Sequence, residues 1–199
     1  MKKSLLALIL AVALAVPAFA AQGDKSINAK LGLGVSNNFS MDYDEMPSGM
    51  SQGFNMEMPV SVGAEFFYGL MDNLSVGLGI NFNFGSDSKA SMEGYKAKVK
   101  TTNFYLAVKP EAKIESDIFS SIYLIGQIGG SNVSMEAARE SKTADMGIYL
   151  GFGAGTIIKD NFIVELLISS SNGSMTEDEM SGHLHYTATT LNIGYKFAL

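Results

Sequence analysis

The sequence predicts an all-β protein, an eight-stranded antiparallel up-and-down transmembrane β-barrel, and three observations carry that expectation. The first is the final stretch, where Thr187, Thr189, Leu191, Ile193, Tyr195, Phe197 and Leu199 alternate with Ala188, Thr190, Asn192, Gly194, Lys196 and Ala198. A period of two held over a dozen residues is a strand, since strand side chains alternate between faces. The second is that the same alternation returns along the chain, eight times in all. The third is the spacing between strands, alternately a short turn and a long polar stretch, as in barrels with short periplasmic turns and long outer loops. Within lipid every backbone amide needs a partner, and a closed sheet supplies one.

In chain order, Lys2 and Lys3 precede an apolar run from Leu5 to Val16, broken by Pro17 and followed by Ala18-Phe19-Ala20. That is the make-up of a secretory signal peptide cleaved after Ala20, and the run is short for a membrane-spanning helix. Residue 21 is Ala, so a lipid-modified cysteine is not expected there. Residues 1–20 are thus expected to be removed, leaving 21–199 as one barrel domain exported to the outer membrane.

The first strand, 26–39, sets Ile27, Ala29, Leu31, Leu33 and Val35 against Asn28, Lys30, Gly32, Gly34 and Ser36. The second, 54–70, sets Met58, Val60, Val62, Ala64, Phe66 and Tyr68 against Glu57, Ser61, Gly63, Glu65 and Gly69. The third alternates most cleanly, Leu74, Val76, Leu78, Ile80, Phe82 and Phe84 against serine, asparagine and glycine. The fourth, 101–114, contains Pro110, which has no N–H to donate and is expected at a bulge or strand end. The fifth, 120–132, alternates least cleanly. The sixth, 145–159, sets Met146, Ile148, Leu150, Phe152, Ala154 and Ile158 against Tyr149 and four glycines, and the seventh spans 162–171. Short connections fall at 71–73, 115–119 and 159–161; residues 40–53, 86–100, 134–144 and 172–184 read as long polar loops.

Composition narrows the function. After removal of Lys2 and Lys3 the chain keeps 12 basic residues against 20 acidic ones, an acidic balance that argues against a nucleic-acid partner. The absence of cysteine excludes disulfides, zinc-thiolate sites and thiol catalysis. Barrel closure must then hold the fold together. An eight-stranded barrel is wide enough only to be filled by its own side chains. The face assigned to the lumen carries Lys30, Glu57, Glu65, Lys109, Glu111, Lys113, Tyr149, Glu165 and Lys196. Both signs occur, so an internal network of ion pairs and hydrogen bonds is expected, because an unpaired buried charge is costly.

The chain end resembles the C-terminal signal of bacterial outer-membrane barrels: a polar residue, then glycine, an aromatic and a final hydrophobic residue. Here these are Asn192, Gly194, Phe197 and Leu199, with Tyr195 adding to an aromatic girdle; the usual last residue is phenylalanine, from which Leu199 departs. With the signal peptide, the eight strands and the loop asymmetry, the mature chain resembles the small outer-membrane β-barrels of Gram-negative bacteria, the porin-like OmpX/OmpA-barrel type. The resemblance implies insertion by the barrel assembly machinery and contact with outer-membrane lipid and lipopolysaccharide. It also implies envelope-integrity, adhesion or minor transport roles, with a surface ligand at the loops.

Other motifs are weaker. Gly151-Phe152-Gly153-Ala154-Gly155-Thr156 has the glycines of a nucleotide loop but neither its lysine nor a helix after it. His183 and His185, the only histidines, raise a lipid-modifying enzyme as an alternative but read more simply as rim residues, so no catalytic residue is assigned. Loop methionines and the acidic runs 42–45 and 177–179 lack the spacing of a calcium loop, and no metal or cofactor is expected. Lys89, Lys96, Lys98 and Lys100 offer charge for lipopolysaccharide phosphates. The favoured function is structural or surface-interacting and non-enzymatic, with a narrow channel as the alternative. A soluble lipocalin-like barrel, apolar face inward, is the rival architecture that the same alternation permits.

Overall fold

The structure is a computed structural model that describes residues 23–43, 52–88, 98–137, 140–177 and 180–199. The expected signal peptide and the tips of the outer connections lie outside those residues. Ten strands form one antiparallel sheet: β1 (Lys25–Tyr43), β2 (Gln52–Asn55), β3 (Val60–Met71), β4 (Leu74–Asp87), β5 (Lys98–Lys113), β6 (Phe119–Ala137), β7 (Glu140–Thr143), β8 (Gly147–Ile158), β9 (Phe162–Glu177) and β10 (Met180–Ala198). Both β2 and β3 pair with β1, and both β7 and β8 with β6. Each of those couples is one stave interrupted above the membrane, so the barrel has eight staves. Pairing of β1 with β10, from Ser26↔Ala198 to Tyr43↔Gly182, closes it.

Closure decides the inside-out question. Phe152 is 62% exposed, and Ile168, Phe104 and Leu31 are also open on the outer face, whereas Lys30, Glu65, Lys109 and Glu165 are buried within. An apolar exterior around a charged interior suits lipid outside, and the lipocalin-like arrangement is overturned. The apolar outward positions run over 27–35 in β1 and 191–199 in β10, about the nine to eleven residues a tilted strand needs to cross a bilayer.

Local irregularities move several residues from their expected faces. A bulge between Gly34 and Ser36 inserts one residue into β1, so Ser36 turns outward and Asn37 and Phe39 point in. The break between β2 and β3 has the same effect on Glu57: Met56 takes the inward position and Glu57 is exposed, its amide donating to the Asp87 carbonyl at 2.7 Å. Tyr68, expected on the lipid face, is buried at the end of β3, beside the Gly69 amide to Asp24 carbonyl bond. Pro110 stays within β5 without a register shift, opposite Leu74, the first residue of β4, where a missing N–H costs least.

The largest departure concerns the outer connections. Much of what reads as loop is strand: β1 continues to Tyr43, and β9 and β10 pair up to Glu177↔Met180. Polar strands above a membrane carry no apolar alternation outward, so hydropathy does not mark them. They are held from inside by a separate apolar core of Phe39, Met41, Met56, Val99, Val133, Ala144, Leu184, Tyr186 and Ala188.

A filled lumen beneath an acidic outer end

The candidate site is the lumen together with the hairpins above it. Lys30 of β1 is the centre of the lower lumen. Its Nζ lies 2.7 Å from Glu65 Oε2 and 2.8 Å from Glu165 Oε2, so β1, β3 and β9 meet in one charged cluster. One ammonium shared by two carboxylates leaves each partly uncompensated, and neutral donors complete both shells. Tyr105 and Gln127 donate to Glu65 at 3.1 and 3.0 Å, and Tyr123 and Asn192 donate to Glu165 at 3.0 and 2.9 Å. Tyr149 donates to Gln127 Oε1 at 2.7 Å and so orients the amide that serves Glu65. A carboxylate removed from water tolerates its charge when each lone pair meets a donor.

The tyrosines reach these carboxylates because glycine stands where each ring passes. A Cβ at Gly79 would overlap the Tyr105 ring, and one at Gly155 would overlap that of Tyr123. Glycine-rich strand faces are thus the complement of long polar side chains across the barrel.

The other residues assigned to the lumen from sequence divide. Lys109 pairs with half-buried Glu111 at 3.1 Å and lies 4.7 Å from the Phe67 ring centroid, a second charged group nearer the turn end. Lys196 is half-buried at the same mouth, its backbone bonded to Asn161. Lys113, the last residue of β5, is exposed and outside the enclosed network, as is Glu57. Alternation places both inward, but one lies past the enclosed part of the barrel and the other at the strand break. Sequence reasoning missed Tyr105, Tyr123, Gln127 and Asn28 as network members, although inward alternation of a polar group was signal enough for each.

Above the charges lies a neutral layer. Asn83 donates to the Tyr186 hydroxyl at 2.9 Å, and Ser171 donates to Asn103 at 3.1 Å. A cavity of about 20 Å³ lies there, lined by Ser61, Asn103, Tyr149 and Asn192 among others, with room for water. The apolar core of the outer hairpins follows, with Leu184, Val99 and Val133 at 0% exposure. From turn end to hairpin end the lumen therefore runs from charged groups packed among aromatic and apolar side chains such as Phe67, Ile125, Ile157 and Ile163, through a neutral polar layer, to the apolar core of the hairpins.

A family model for the outer membrane protein beta-barrel domain matches residues 6–197. The chain belongs to that family. It is accordingly an outer-membrane protein of the Gram-negative envelope, crossing the membrane with its strands. No curated protein sequence matches it significantly. Similar solved structures include Ail of Yersinia pestis in complex with the heparin analogue sucrose octasulfate, at 13% identity over 88% of this chain and 99% of that one, TM-score 0.48. OprG from Pseudomonas aeruginosa is 12% identical over 88% and 96%, TM-score 0.49, and the outer membrane protease OmpT from Escherichia coli 11% over 86% and 97%, TM-score 0.45.

Charge is distributed unevenly over this barrel. In sequence, the segments 40–57, 86–100, 134–145 and 172–185, which include the described outer strand ends, hold twelve of the 20 acidic residues but six of the 14 basic ones. Of the four lysines considered for lipopolysaccharide, Lys89 and Lys96 lie outside the described residues. Lys100 forms an ion pair with Glu136, whose carboxyl that hydrogen bond holds below the ordinary carboxylate value. Lys98 stands between Asp87 and Glu136 in the ladder. Both are thus near opposite charge, leaving less for phosphate. His183 and His185 project from β10 on the solvent side of the same end, with His185 Nε2 3.8 Å from Asp42 Oδ2. The segment 151–156 is plain strand within β8.

Proposed function

We propose that this barrel has a structural and surface-interaction role rather than a channel or enzyme role, and that its acidic outer hairpins engage a positively charged partner. The observation that carries the reading is the apolar core inside those hairpins. Anchoring in a membrane needs only the lipid-facing band, whereas Phe39, Val99, Val133 and Leu184 stiffen the strands that project beyond it. A stiff, ordered surface costs less to immobilise on binding than mobile loops do. Its charge favours a basic protein or peptide over a polyanion of the sucrose octasulfate kind found with Ail.

Against a channel stand the charged, neutral and apolar side chains that fill the lumen among the described residues. Against an enzyme stands the setting of His183 and His185 on the solvent side of a hairpin face, where water reaches the imidazoles. Export on residues 1–20 and assembly through Asn192, Gly194, Tyr195, Phe197 and Leu199 complete the proposal. Tyr195, Phe197 and Leu199 lie open on the outer face, where an assembly factor or lipid can meet them.

The test has two parts on the mature barrel reconstituted in lipid. In planar bilayers no single-channel steps are expected, and regular steps would overturn the closed lumen. In vesicles, an oligolysine peptide should bind in a salt-sensitive manner and heparin should not. Equal or reversed preference would overturn the cationic partner.

A further inference from the structure

We propose that the outward face of the hairpin extension on β2, β1, β10 and β9 binds the neutral sugars of outer-leaflet lipopolysaccharide through hydroxyl and amide side chains. This inference is independent of the cationic-partner reading, because it concerns the side wall of the extension and a ligand without charge. Above its bulge β1 turns Ser36, Asn38 and Ser40 outward, while Phe39 and Met41 point into the upper core. The ladder sets these side chains beside others of the same kind. Asn55, Asn38, Thr187 and Ser170 form one row across four strands, and Ser40, His185 and Asn172 form the next. Neighbours in a row stand about 4.8 Å apart, a step close to the width of one pyranose ring.

The chemistry of this face selects the ligand. Serine, threonine and asparagine each offer both a donor and an acceptor, as sugar hydroxyls do. Phosphate or sulfate groups call for cationic partners. Segments 36–43, 52–55, 170–177 and 180–189 contain no lysine or arginine, and their only acids are Asp42 and Glu177. The other half of the extension contrasts with it: Asp87, Lys98 and Glu136 are cross-strand neighbours there, and Lys100 pairs with Glu136. Uncharged recognition thus belongs to the β1, β9 and β10 side.

The face is also prepared for contact. Its side chains are short and lose little rotamer freedom when held. Leu184 and Tyr186, which alternate with the outward residues of β10, are buried beneath it, and the Ile148 amide donates to Asn172 Oδ1 at 2.7 Å. Such preorganisation lowers the cost of binding.

Position names the source of the sugar. The grid begins one outward step above the lipid-facing band, Thr189 following Leu191 on β10 and Ser170 following Ile168 on β9. That zone is the headgroup layer, which in the outer leaflet of a Gram-negative outer membrane is saccharide. A ligand held in the same leaflet by its acyl chains has a high effective concentration at this wall, which offsets the weakness of neutral hydrogen bonds.

The test is an NMR titration of the mature barrel in phospholipid with dephosphorylated core oligosaccharide released from lipopolysaccharide. Saturable shifts are expected at amides of 36–42, 170–174 and 183–189, unchanged by added salt. Asn38→Ala and Thr187→Ala should each weaken binding about threefold to tenfold, as for one neutral hydrogen bond, and Thr187→Ser should retain it. Lys98→Gln combined with Lys100→Gln should leave it unaltered. Heat-modifiable gel mobility must be preserved in each variant, which separates loss of a contact from loss of the fold. Absence of saturable shifts in the unaltered barrel would overturn the site. So would binding that is indifferent to Asn38→Ala and Thr187→Ala, or that is lost with the two lysines.

Discussion

At the scale of residues, the decisive fact is that Lys30 serves two carboxylates. Glu65 and Glu165 are 2% and 1% exposed, so neither can turn to water if the ammonium is lost. Lys30→Ala should therefore destabilise the barrel by about 3–5 kcal/mol, the usual cost of orphaning a buried charge. Replacing all three charges together, Lys30→Met with Glu65→Gln and Glu165→Gln, should cost less than the single change. Urea titration of barrels folded in vesicles measures both, and a triple variant less stable than Lys30→Ala would show that the pairing itself is the main stabiliser. Alternation marks the inward positions of all three residues, but not which of them meet. That pairing spans |i−j| = 135 between Lys30 and Glu165 and depends on which staves lie across the lumen from one another.

At the scale of elements, the barrel behaves as two stacked cores with different solvents outside. Below, the strands turn apolar residues to lipid and enclose charged and polar groups together with inward apolar residues such as Ile125 and Ile163; above, the outer hairpins turn polar residues to water and apolar ones inward. The inversion is visible along β1, where Leu31 is open to lipid and Phe39 is buried, with the bulge at Gly34 and Ser36 between them. Leu184→Ala should open a cavity in the upper core at a cost of about 2–5 kcal/mol. Limited proteolysis should then cut the outer hairpins faster while the lipid-embedded staves stay protected. Equal sensitivity of the two halves would argue against separate cores. The extent of these hairpins was not legible because strand recognition relied on an apolar face toward lipid, which ends at the membrane surface. Met41, Val99 and Leu184 read as loop residues until the fold brings them to one axis.

At the scale of the whole molecule, the stabilising event is the meeting of the first and last staves. The register from Ser26↔Ala198 to Leu33↔Leu191 leaves neither strand an unpaired edge in the hydrocarbon. Removing residues 192–199 deletes that seam together with Asn192, a donor to Glu165. The truncated chain should give no heat-modifiable band in the outer-membrane fraction, whereas Leu199→Phe should keep full yield. A folded truncated barrel would show that closure can be re-formed by slippage.

Sequence by itself determined the class, the eight staves, the short turns and, apart from exceptions such as Tyr68, which membrane residues share a face, because period two and bilayer thickness are local properties of a strand. It left open whether the apolar face meets lipid or a ligand, since periodicity has no sign. The tertiary structure decided that sign, and with it the bulge, the strand break and the upper core. It also decided that one lysine answers two glutamates. All of these depend on which strands are neighbours and on where the barrel leaves the membrane, and no stretch of chain carries that information alone.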